Sequence, residues 1–594
     1  MKKSTLKKRT GLGSEIIVDF LSQNGIKHVF DLSGGMIAFI EDAISRRAGI
    51  ECVPMHHEQA AGFAAEGYAR KSQNFGVAIA TSGPGATNLI TAIGSSYFDS
   101  IPTMFIVGQV HTDNIKKKEG IRQEGFQETD IVRVIKPLTK YAVLVTKVED
   151  ILYELEKSHY IMKTGRPGSV LIDIPINLQR NEAENFRSFY GSAEHLSMVR
   201  NEKEALKVDV RKVEKLRQML TDSKAPLILA GNGVRLSSTT KELYSFAKRN
   251  NLPVVTSLLG IDCYPFNDNF AGYVGSNGNR HANIIFANAD LIIVLGSRLD
   301  IRQTGDVKSF NKKAKVVHVD IDSNSLNYVI PTELSFEANL SDFFKATKNL
   351  TTTKKPAWVK FISSVKQYFS RPHSYKKGEI DANTFLHELS VATKESAVIV
   401  ADVGQNQMWC AQSWVQKEGQ RILFSGGMGA MGFSLPAAIG AWFADKSQEI
   451  IVICGDGGLQ INIQELETVA RNKIPMKLFI FNNKSLGMVR EFQDLYFNKN
   501  HQSTVEGYGY PNFKKIAEAY GFKYEMISEI KEGDPFFKKT LKERSPLFVE
   551  VDIPITATLT PKIVYGHALD DQAPYLDDTQ KKYLEELKLK LSRS

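Results

Sequence analysis

Residues 449–492 constrain the fold of this chain more than any other stretch. Residues 450–454 form a short, wholly apolar run, which is typical of a strand buried on both faces of a sheet. A Gly-Asp-Gly-Gly turn follows, and apolar side chains then recur at helical spacing up to Arg471. A second, largely apolar run ends at Asn482-Asn483. The pattern predicts a βαβ unit whose polar turns lie at the carboxyl ends of parallel strands, where open α/β sheets bind ligands.

The two polar turns carry the ligands that a hard divalent cation prefers. Asp456 offers a carboxylate, Asn483 an amide oxygen and Ser485 a backbone carbonyl, and phosphate oxygens and water would complete the shell of a magnesium ion. The glycines among residues 455–458 allow the backbone to approach a diphosphate at the start of a helix. An ordinary turn with a capping aspartate is the alternative, and the order and spacing of the two turns argue against it.

This segment resembles the diphosphate-binding motif of the thiamine diphosphate (ThDP)-dependent enzymes. The resemblance implies that Asp456, Asn483 and the carbonyl of Ser485 hold magnesium. It also implies that Met431 props the cofactor in a V shape that brings its amine onto the reactive carbon. The residues that it implies on this side of the cofactor are Val403, Gly404, Gln405, Asn406, Gly429, Met431, Gly455, Asp456, Gly457, Gly458, Asn483, Ser485, Gly487 and Met488.

A second motif lies nearer the N-terminus, where an apolar run leads into HEQAAGFAAEGYAR at residues 57–70. A glutamate at a helix start is often there for the helix dipole. The string resembles the pyrimidine-binding motif of the acetolactate synthase branch, in which Glu58 would hydrogen-bond a ring nitrogen of the cofactor and promote removal of the thiazolium C2 proton. The resemblance also implies that Pro84 and Asn88 bind the cofactor, and that Phe126 and the catalytic Gln127 face the active site.

The middle of the chain shows the alternating strands and helices of another doubly wound domain. Arg298 and Arg302 follow a predicted strand and could clamp a phosphate or nucleotide, although surface arginines are the ordinary interpretation. In acetolactate synthases the matching domain binds FAD, which is mainly structural because no net redox change occurs. The flavin-binding positions that the resemblance implies are Arg166, Gly231, Gly233, Arg298, Arg302 and Asp320.

The whole pattern predicts an α/β protein with three doubly wound parallel-sheet domains. We expect a pyrimidine-binding domain at residues 12–180, a central FAD-binding, Rossmann-like domain at 206–345 and a diphosphate-binding domain at 380–560. A tail follows at 561–594, and its composition predicts a surface position. The polar stretches 181–205 and 346–378 are predicted to be linkers.

Composition argues against several other classes of protein. The net charge of +9 is modest for 594 residues, and no basic stripe interleaved with aromatic residues indicates nucleic-acid binding. No apolar run of about 18 residues predicts a membrane span. No apolar signal core follows the basic residues 1–9, which we interpret as a solvated end. The four cysteines form no CxxC pair and fit buried thiols in a reducing, cytoplasmic compartment.

The resemblance implies a carboligase of branched-chain amino acid biosynthesis. The ThDP ylid would attack pyruvate, carbon dioxide would leave, and the resulting enamine would add to a second 2-oxo acid, giving 2-acetolactate from two pyruvates. Two positions depart from the biosynthetic enzymes, since Ile176 stands where they usually carry lysine and Phe492 where they usually carry tryptophan. Loss of a cation could weaken recognition of a second carboxylate. The alternative acceptor is therefore a keto-sugar nucleotide, as in a related flavin-containing branch that makes surface polysaccharides.

The resemblance also bears on partners. The cofactor would lie between the first domain of one subunit and the last domain of another, so a homodimer would be the smallest active unit, and a homotetramer is common in the family. A regulatory subunit is a further candidate partner. An inactive ThDP-fold binding protein is the non-catalytic alternative, and the presence of Glu58, Asp456 and Asn483 argues against it.

Overall fold

The computed structural model describes residues 10–205, 208–311, 313–564 and 566–593. These residues form three six-stranded sheets, all parallel, and two short antiparallel ribbons. The prediction of three doubly wound α/β domains is confirmed at the level of the fold. The basic residues 1–9, interpreted from the sequence as a solvated end, lie outside the described residues.

The first sheet has helices on both faces, because alternate strand residues point into two different cores. Phe30 and Phe105 enter one core, and Val29 and Ile106 enter the other. Its strands in spatial order are Glu51–Pro54, His28–Leu32, Gly76–Ala80, Thr103–Gln109, Val170–Pro175 and Tyr141–Leu144. Its α-helices are Gly13–Gln23, Ala38–Ser45, Glu58–Ser72, Pro84–Asn88, Ile90–Phe98, Ile131–Ile135, Ile151–Lys163 and Ile176–Arg180. A two-stranded antiparallel ribbon pairs Gly11–Leu12, at the start of this domain, with Glu182–Ala183, at its end.

The second sheet has the strand order 3-2-1-4-5-6 that is typical of nucleotide-binding doubly wound domains. Its strands in spatial order are Phe270–Tyr273, Val254–Thr256, Pro226–Ala230, Leu291–Leu295, Lys315–Asp320 and Leu334–Glu337. Its α-helices are Val210–Asp222, Gly233–Leu236, Thr240–Asn250, Arg280–Ala287, Ile301–Thr304 and Leu340–Ala346.

The third sheet repeats the 2-1-3-4-6-5 order of the first. Its strands in spatial order are Arg421–Phe424, Val398–Ala401, Ile450–Gly455, Lys477–Asn482, Leu547–Asp552 and Lys523–Ile527. Its α-helices are Ala382–Ala392, Gln405–Ser413, Ser434–Ala444, Asp456–Ile461, Glu465–Arg471, Gly487–Tyr496, Phe513–Ala519 and Pro535–Lys542. The predicted βαβ unit is present, but its crossover is two short helices, and the Gly-Asp-Gly-Gly turn forms the strand end and first helical turn.

The two stretches predicted to be linkers each contain a helix, which their polar composition does not predict. Ala193–Ala205 is helical, and Pro356–Phe369 is a helix whose buried face includes Trp358 and Val365. Trp358 Nε1 donates to the Pro226 carbonyl at 2.9 Å, which ties this helix to the second sheet. Lys360 is exposed, whereas Lys366 is half-buried and its Nζ donates to the Phe270 carbonyl at 2.8 Å.

The tail is also more buried than its composition predicts. Its helix Asp578–Ser592 places Leu584 and Leu587 in a core beside the second sheet. The ribbon Lys562–Ile563 with Gln572–Ala573 precedes it. Among the residues that the structure describes, no helix is long and apolar enough to cross a membrane.

The first and third sheets share one apolar core through a close helix crossing. Helices Glu58–Ser72 and Ser434–Ala444 meet where a Cβ on Gly67 would lie 2.0 Å from the Ala437 carbonyl oxygen. A Cβ on Gly440 would lie 1.8 Å from the carbonyl oxygen of Ala64. Only glycine allows the two backbones to approach so closely, and this explains the small residues that the sequence shows here.

Candidate active site

Asp456 and Asn483 lie together at one edge of the third sheet. Strands Ile450–Gly455 and Lys477–Asn482 are adjacent and parallel, so the residues that follow them meet. The Asn483 side-chain atom that faces this edge lies 3.2 Å from Asp456 Oδ1 and 2.7 Å from the carbonyl oxygen of Ser485. The structure therefore brings the three predicted cation ligands into one cluster.

The chemistry of this cluster fits a hard cation. Asp456 is buried, and burial raises the pKa of its carboxyl group to about 6, while a 2.9 Å hydrogen bond from the Tyr508 hydroxyl lowers that pKa. A bound divalent cation favours the ionised carboxylate. One carboxylate, one amide and one carbonyl fit a magnesium ion that takes its other ligands from phosphate and water. Tyr508 lies in a loop that no sequence motif marks.

Asp402 organises the turn that carries Met431, and sequence motifs did not indicate it. It follows the strand Val398–Ala401 at the point where the strand order reverses. Its buried carboxylate accepts backbone hydrogen bonds from Gly432 at 2.9 Å and Ser434 at 2.8 Å. Burial raises the pKa of Asp402, and these donors oppose the rise. A carboxylate directly after a buried strand is the signal that could have found it.

Glycines let three segments approach one another around the cation cluster. A Cβ on Gly457 would lie 2.6 Å from Leu486 Cδ2 and 3.5 Å from Met431 Cε. A Cβ on Gly487, at the start of a helix, would lie 1.9 Å from Gln405 Oε1. A side chain at either position would displace the neighbouring side chains of Leu486 or Gln405.

The other predicted residues of the third domain lie on the same turns. Gly404 and Gly429 have φ angles of 152° and 65°, and a Cβ on Gly429 would meet nothing within 4 Å. Asn406 Nδ2 donates to the Asp402 carbonyl at 2.8 Å. Met488 packs against the apolar core of the third sheet. The remaining predicted positions at these strand ends are Val403, Gly455 and Gly458.

Glu58 lies in the first domain at the start of helix Glu58–Ser72, which His57 caps through Nδ1. The carboxylate is buried, and Asn88 Nδ2 donates to its Oε2 at 2.9 Å. A Cβ on Gly85 would lie 3.3 Å from the other oxygen, Oε1. The glycine therefore leaves space on that side of the carboxylate.

Pro84 and Gln127 lie on the loops beside Glu58. Pro84 begins the short helix that ends at Asn88. Gln127 has a φ of 65°, and a Cβ added to Gly83 would lie 2.9 Å from the Cβ of Gln127. The neighbouring Phe126 is 81% exposed. The structure thus places Gln127 against the loop that leads to Asn88, whereas Phe126 projects from the surface of the chain.

Gln59, the residue next to Glu58, contacts the third domain through Asn462. Asn462 Nδ2 donates to Gln59 Oε1 at 3.2 Å and to the Gly432 carbonyl at 2.9 Å. The residue after Glu58 is therefore tied to the turn that carries Met431.

A separate cavity of about 230 Å³ lies where the strand order of the second sheet reverses. Its walls include five of the predicted flavin-binding residues, namely Arg166, Gly233, Arg298, Arg302 and Asp320. Gly231 lies beside the cavity, where a Cβ would be 2.2 Å from the Gly296 carbonyl oxygen. Arg302 donates to the Gly426 carbonyl at 3.1 Å, which connects the cavity to the glycine-rich turn of the third domain.

Comparisons with known proteins agree with this architecture. Family models of the thiamine pyrophosphate enzymes match as the N-terminal TPP binding domain at residues 12–134, the central domain at 213–347 and the C-terminal TPP binding domain at 402–551.

Similar proteins extend along nearly the whole chain. The acetolactate synthase large subunit of Lactococcus lactis is 34% identical over 578 residues, which cover 96% of this chain and 97% of that protein. The acetolactate synthase large subunit of Haemophilus influenzae is 33% identical over 568 residues, which cover 94% of this chain and 97% of that protein. A probable acetolactate synthase large subunit of Methanocaldococcus jannaschii is 34% identical over 552 residues, which cover 91% of this chain and 92% of that protein.

Proposed function

The chain belongs to the thiamine pyrophosphate enzymes, in the group of the acetolactate synthase large subunits, and we propose that pyruvate is its donor substrate. It is an acetolactate synthase-like, ThDP-dependent carboligase. Relatives of this group do not favour a keto-sugar transferase or an inactive binding protein. The convergence of Asp456, Asn483 and Ser485 at the edge of the third sheet is the observation that carries the site assignment.

We propose that magnesium binds among Asp456 Oδ1, the side-chain oxygen of Asn483 and the carbonyl of Ser485. The short distances among these groups and the burial of Asp456 support this site. Helix Asp456–Ile461 begins here, so its first backbone N–H groups are available to the diphosphate of ThDP. Gly457 and Gly487 keep side chains out of the same space.

We propose that Glu58 handles the proton that activates the cofactor. When bound, ThDP supplies a carbon nucleophile that adds to the 2-oxo acid and accepts the electron pair left by carbon dioxide. Asn88 holds Glu58 Oε2, and Oε1 faces Gly85, where it can share a proton with a ring nitrogen of an aminopyrimidine. Met431 would contact the cofactor, and Gln127 would contact the substrate.

We propose that the acceptor is a second 2-oxo acid, and that two pyruvates give 2-acetolactate. Ile176 is half-buried at the start of a helix directly after the strand Val170–Pro175, and Phe492 is 54% exposed. Neither residue lies in the cation cluster. If the acceptor is a second 2-oxo acid, the reaction tolerates isoleucine and phenylalanine at these positions in place of the usual lysine and tryptophan.

We propose that the cavity at the second sheet binds FAD in a structural role. Gly231 and Gly296 keep side chains out of these strand ends, and Arg298 and Arg302 in the cavity wall provide positive charge for the phosphates. Asp320, also in the wall, can accept hydrogen bonds from a ribose. Absorbance of the purified protein near 450 nm would test this assignment.

We propose that the enzyme works as a homodimer or homotetramer, with a regulatory subunit as a further partner, in the cytoplasm. Apolar side chains that project from the chain near the site support self-association, including Phe126, Val489, Phe492 and Phe497. The free Cys52, Cys263, Cys410 and Cys454 fit a reducing compartment.

Replacement of Asp456 tests the proposed cation site. Asp456→Ala removes the only carboxylate of the cluster, so we expect magnesium-dependent ThDP binding to weaken by more than the roughly 10- to 100-fold that outer-shell changes cost. Isothermal calorimetry with and without magnesium measures the effect. Asp552→Ala is the control, because Asp552 ends a neighbouring strand and pairs with Lys484 instead. Unchanged ThDP affinity in Asp456→Ala would refute the site.

A further inference from the structure

The side-chain amide of Asn483 can take two orientations, and only one of them suits a cation. With Oδ1 toward Asp456 and Ser485, three oxygens converge at 2.7–3.2 Å, an arrangement that a cation stabilises. With Nδ2 there, the amide would donate to both oxygens and direct two N–H groups toward the cation. Whatever fixes this amide therefore contributes to cation affinity.

Gln405 fixes the amide of Asn483 from the other side. Gln405 Oε1 lies 2.7 Å from Asn483 Nδ2 and accepts its hydrogen bond. If Asn483 alone were reversed, two amide oxygens would face each other at this distance without a hydrogen between them. The orientation of Asn483 therefore follows from that of Gln405.

Glu491 in turn fixes Gln405. Gln405 Nε2 donates to Glu491 Oε1 and, at 3.0 Å, to the Ala557 carbonyl. Both partners accept only, so reversal of Gln405 would bring its oxygen against a carboxylate and a carbonyl. The orientation in which Gln405 Oε1 faces Asn483 is the one that satisfies all three groups.

The carboxylate of Glu491 is itself held in place. Its side chain is 5% exposed, the Leu559 N–H donates to Oε1 at 2.7 Å, and Lys562 Nζ lies 2.5 Å from Oε2. Gly487 packs so closely on the Gln405–Asn483 pair that a Cβ would lie 2.5 Å from Asn483 Nδ2. The relay is therefore buried and tightly packed along its length.

We propose that Glu491 is a positioning residue for the cation site: through Gln405 it holds Asn483 with its oxygen toward Asp456. This inference rests on the proposed magnesium site. Glu491 makes none of the cation contacts itself, and it acts by accepting a hydrogen bond from Gln405 Nε2. The Leu559 N–H holds Oε1, the oxygen that accepts from Gln405, whereas Lys562 pairs with the other oxygen, Oε2.

Manganese binding tests the relay without recourse to activity. Mn²⁺ would be titrated into the full-length protein with ThDP present, and the electron paramagnetic resonance signal of free Mn²⁺ would give the dissociation constant. Glu491→Ala removes the acceptor for Gln405, and we expect affinity to fall by about 10- to 100-fold. Glu491→Met, which fills the same space, gives the same test if the alanine variant does not fold. Glu491→Gln keeps an oxygen acceptor and should restore affinity close to that of the wild type.

Lys562→Met is the matched control. It removes the other partner of the same ion pair but leaves the bond from Gln405 to Glu491, so we expect Mn²⁺ affinity to stay near that of the wild type. Wild-type affinity in folded Glu491→Ala or Glu491→Met would overturn the proposal. So would an equal loss in Lys562→Met or in Glu491→Gln, because charge or ion pairing would then explain the effect.

The same titration separates this inference from the site on which it rests. If Asp456→Ala binds Mn²⁺ as tightly as the wild type, the proposed cation site is wrong. If Asp456→Ala loses binding while Glu491→Ala retains it, only the relay fails.

Discussion

Glu58 gives the most direct test at the residue scale. Glu58→Gln keeps the shape of the side chain and an oxygen that can accept from Asn88, but it removes the anionic group that shares the proton. We expect turnover of pyruvate to fall by roughly 10²- to 10⁴-fold, the usual contribution of a positioned acid–base group. Calorimetry should show ThDP binding close to that of the wild type. Normal turnover by the variant would exclude Glu58 as the proton-handling group.

Asp173 makes the stability of the first domain depend on pH. It is buried in the strand Val170–Pro175, where Oδ2 accepts from Gln109 Nε2 at 2.9 Å and Oδ1 has no hydrogen-bond partner among the described residues. Burial raises its pKa from 3.8 to about 7, against the Gln109 bond that lowers it. Because the pKa is higher in the folded state, this group stabilises the fold at low pH, and that contribution is lost as the pH rises through 7.

Asp173→Asn removes this titration. We expect the melting temperature of the variant, relative to the wild type, to rise between pH 5 and pH 8. The rise should be roughly 2–4 °C for each kcal/mol by which the free energy of unfolding of the wild type falls over this range. Differential scanning fluorimetry across this range measures the difference. A difference that stays constant with pH would show that Asp173 titrates normally.

Residues in local motifs could be predicted from the sequence, and residues that act across the fold could not. Asp456 and Asn483 each follow an apolar run, so strand ends and crossover rules bring them together. Tyr508 reaches Asp456 across 52 residues, and its loop carries no pattern. Glu491 acts on Gln405 across 86 residues, and in the sequence it is one of several polar residues on a helix.

At the scale of elements, the crossing of helices Glu58–Ser72 and Ser434–Ala444 sets how closely the first and third domains pack. Gly67→Ala would place a methyl group 2.0 Å from the backbone of Ala437, which cannot rotate away. We expect a loss of about 1–3 kcal/mol from overpacking, which outweighs the gain of up to about 1 kcal/mol in helix propensity.

Thermal unfolding of Gly67→Ala measures this loss. Gly35→Ala is the control, because a Cβ on Gly35 would meet nothing within 4 Å. A melting temperature for Gly67→Ala equal to or above that of the wild type would mean that the crossing relaxes at no cost.

Elements inside polar stretches were the part of the fold that sequence patterns missed. Helix Pro356–Phe369 carries Trp358, Phe361 and Val365 on one face, a helical spacing that was present in the sequence. The basic composition around it suggested a linker. Burial against the second sheet, which composition alone does not reveal, makes the segment part of the core.

At the scale of the whole molecule, Asp99 is a point where the three domains meet. Its buried carboxylate pairs with Arg70 at 2.6 Å and accepts backbone hydrogen bonds from Gly426 and Gly427. The backbone carbonyl of Asp99 accepts a hydrogen bond from Asn232 Nδ2 at 3.2 Å. Burying such a charge is tolerated because it is paired and hydrogen-bonded. Asp99 therefore contacts both the wall of the proposed flavin cavity and the turn that leads to Met431.

The product formed from pyruvate identifies the acceptor of the reaction. Purified protein would be incubated with pyruvate, ThDP and magnesium, with and without a keto-sugar nucleotide, and the products separated by chromatography and mass spectrometry. We expect rapid formation of acetolactate from pyruvate alone and no change when the sugar is added. Slow acetolactate formation with fast transfer to the sugar ketone would contradict this expectation, and would mean that Ile176 and Phe492 mark a different acceptor.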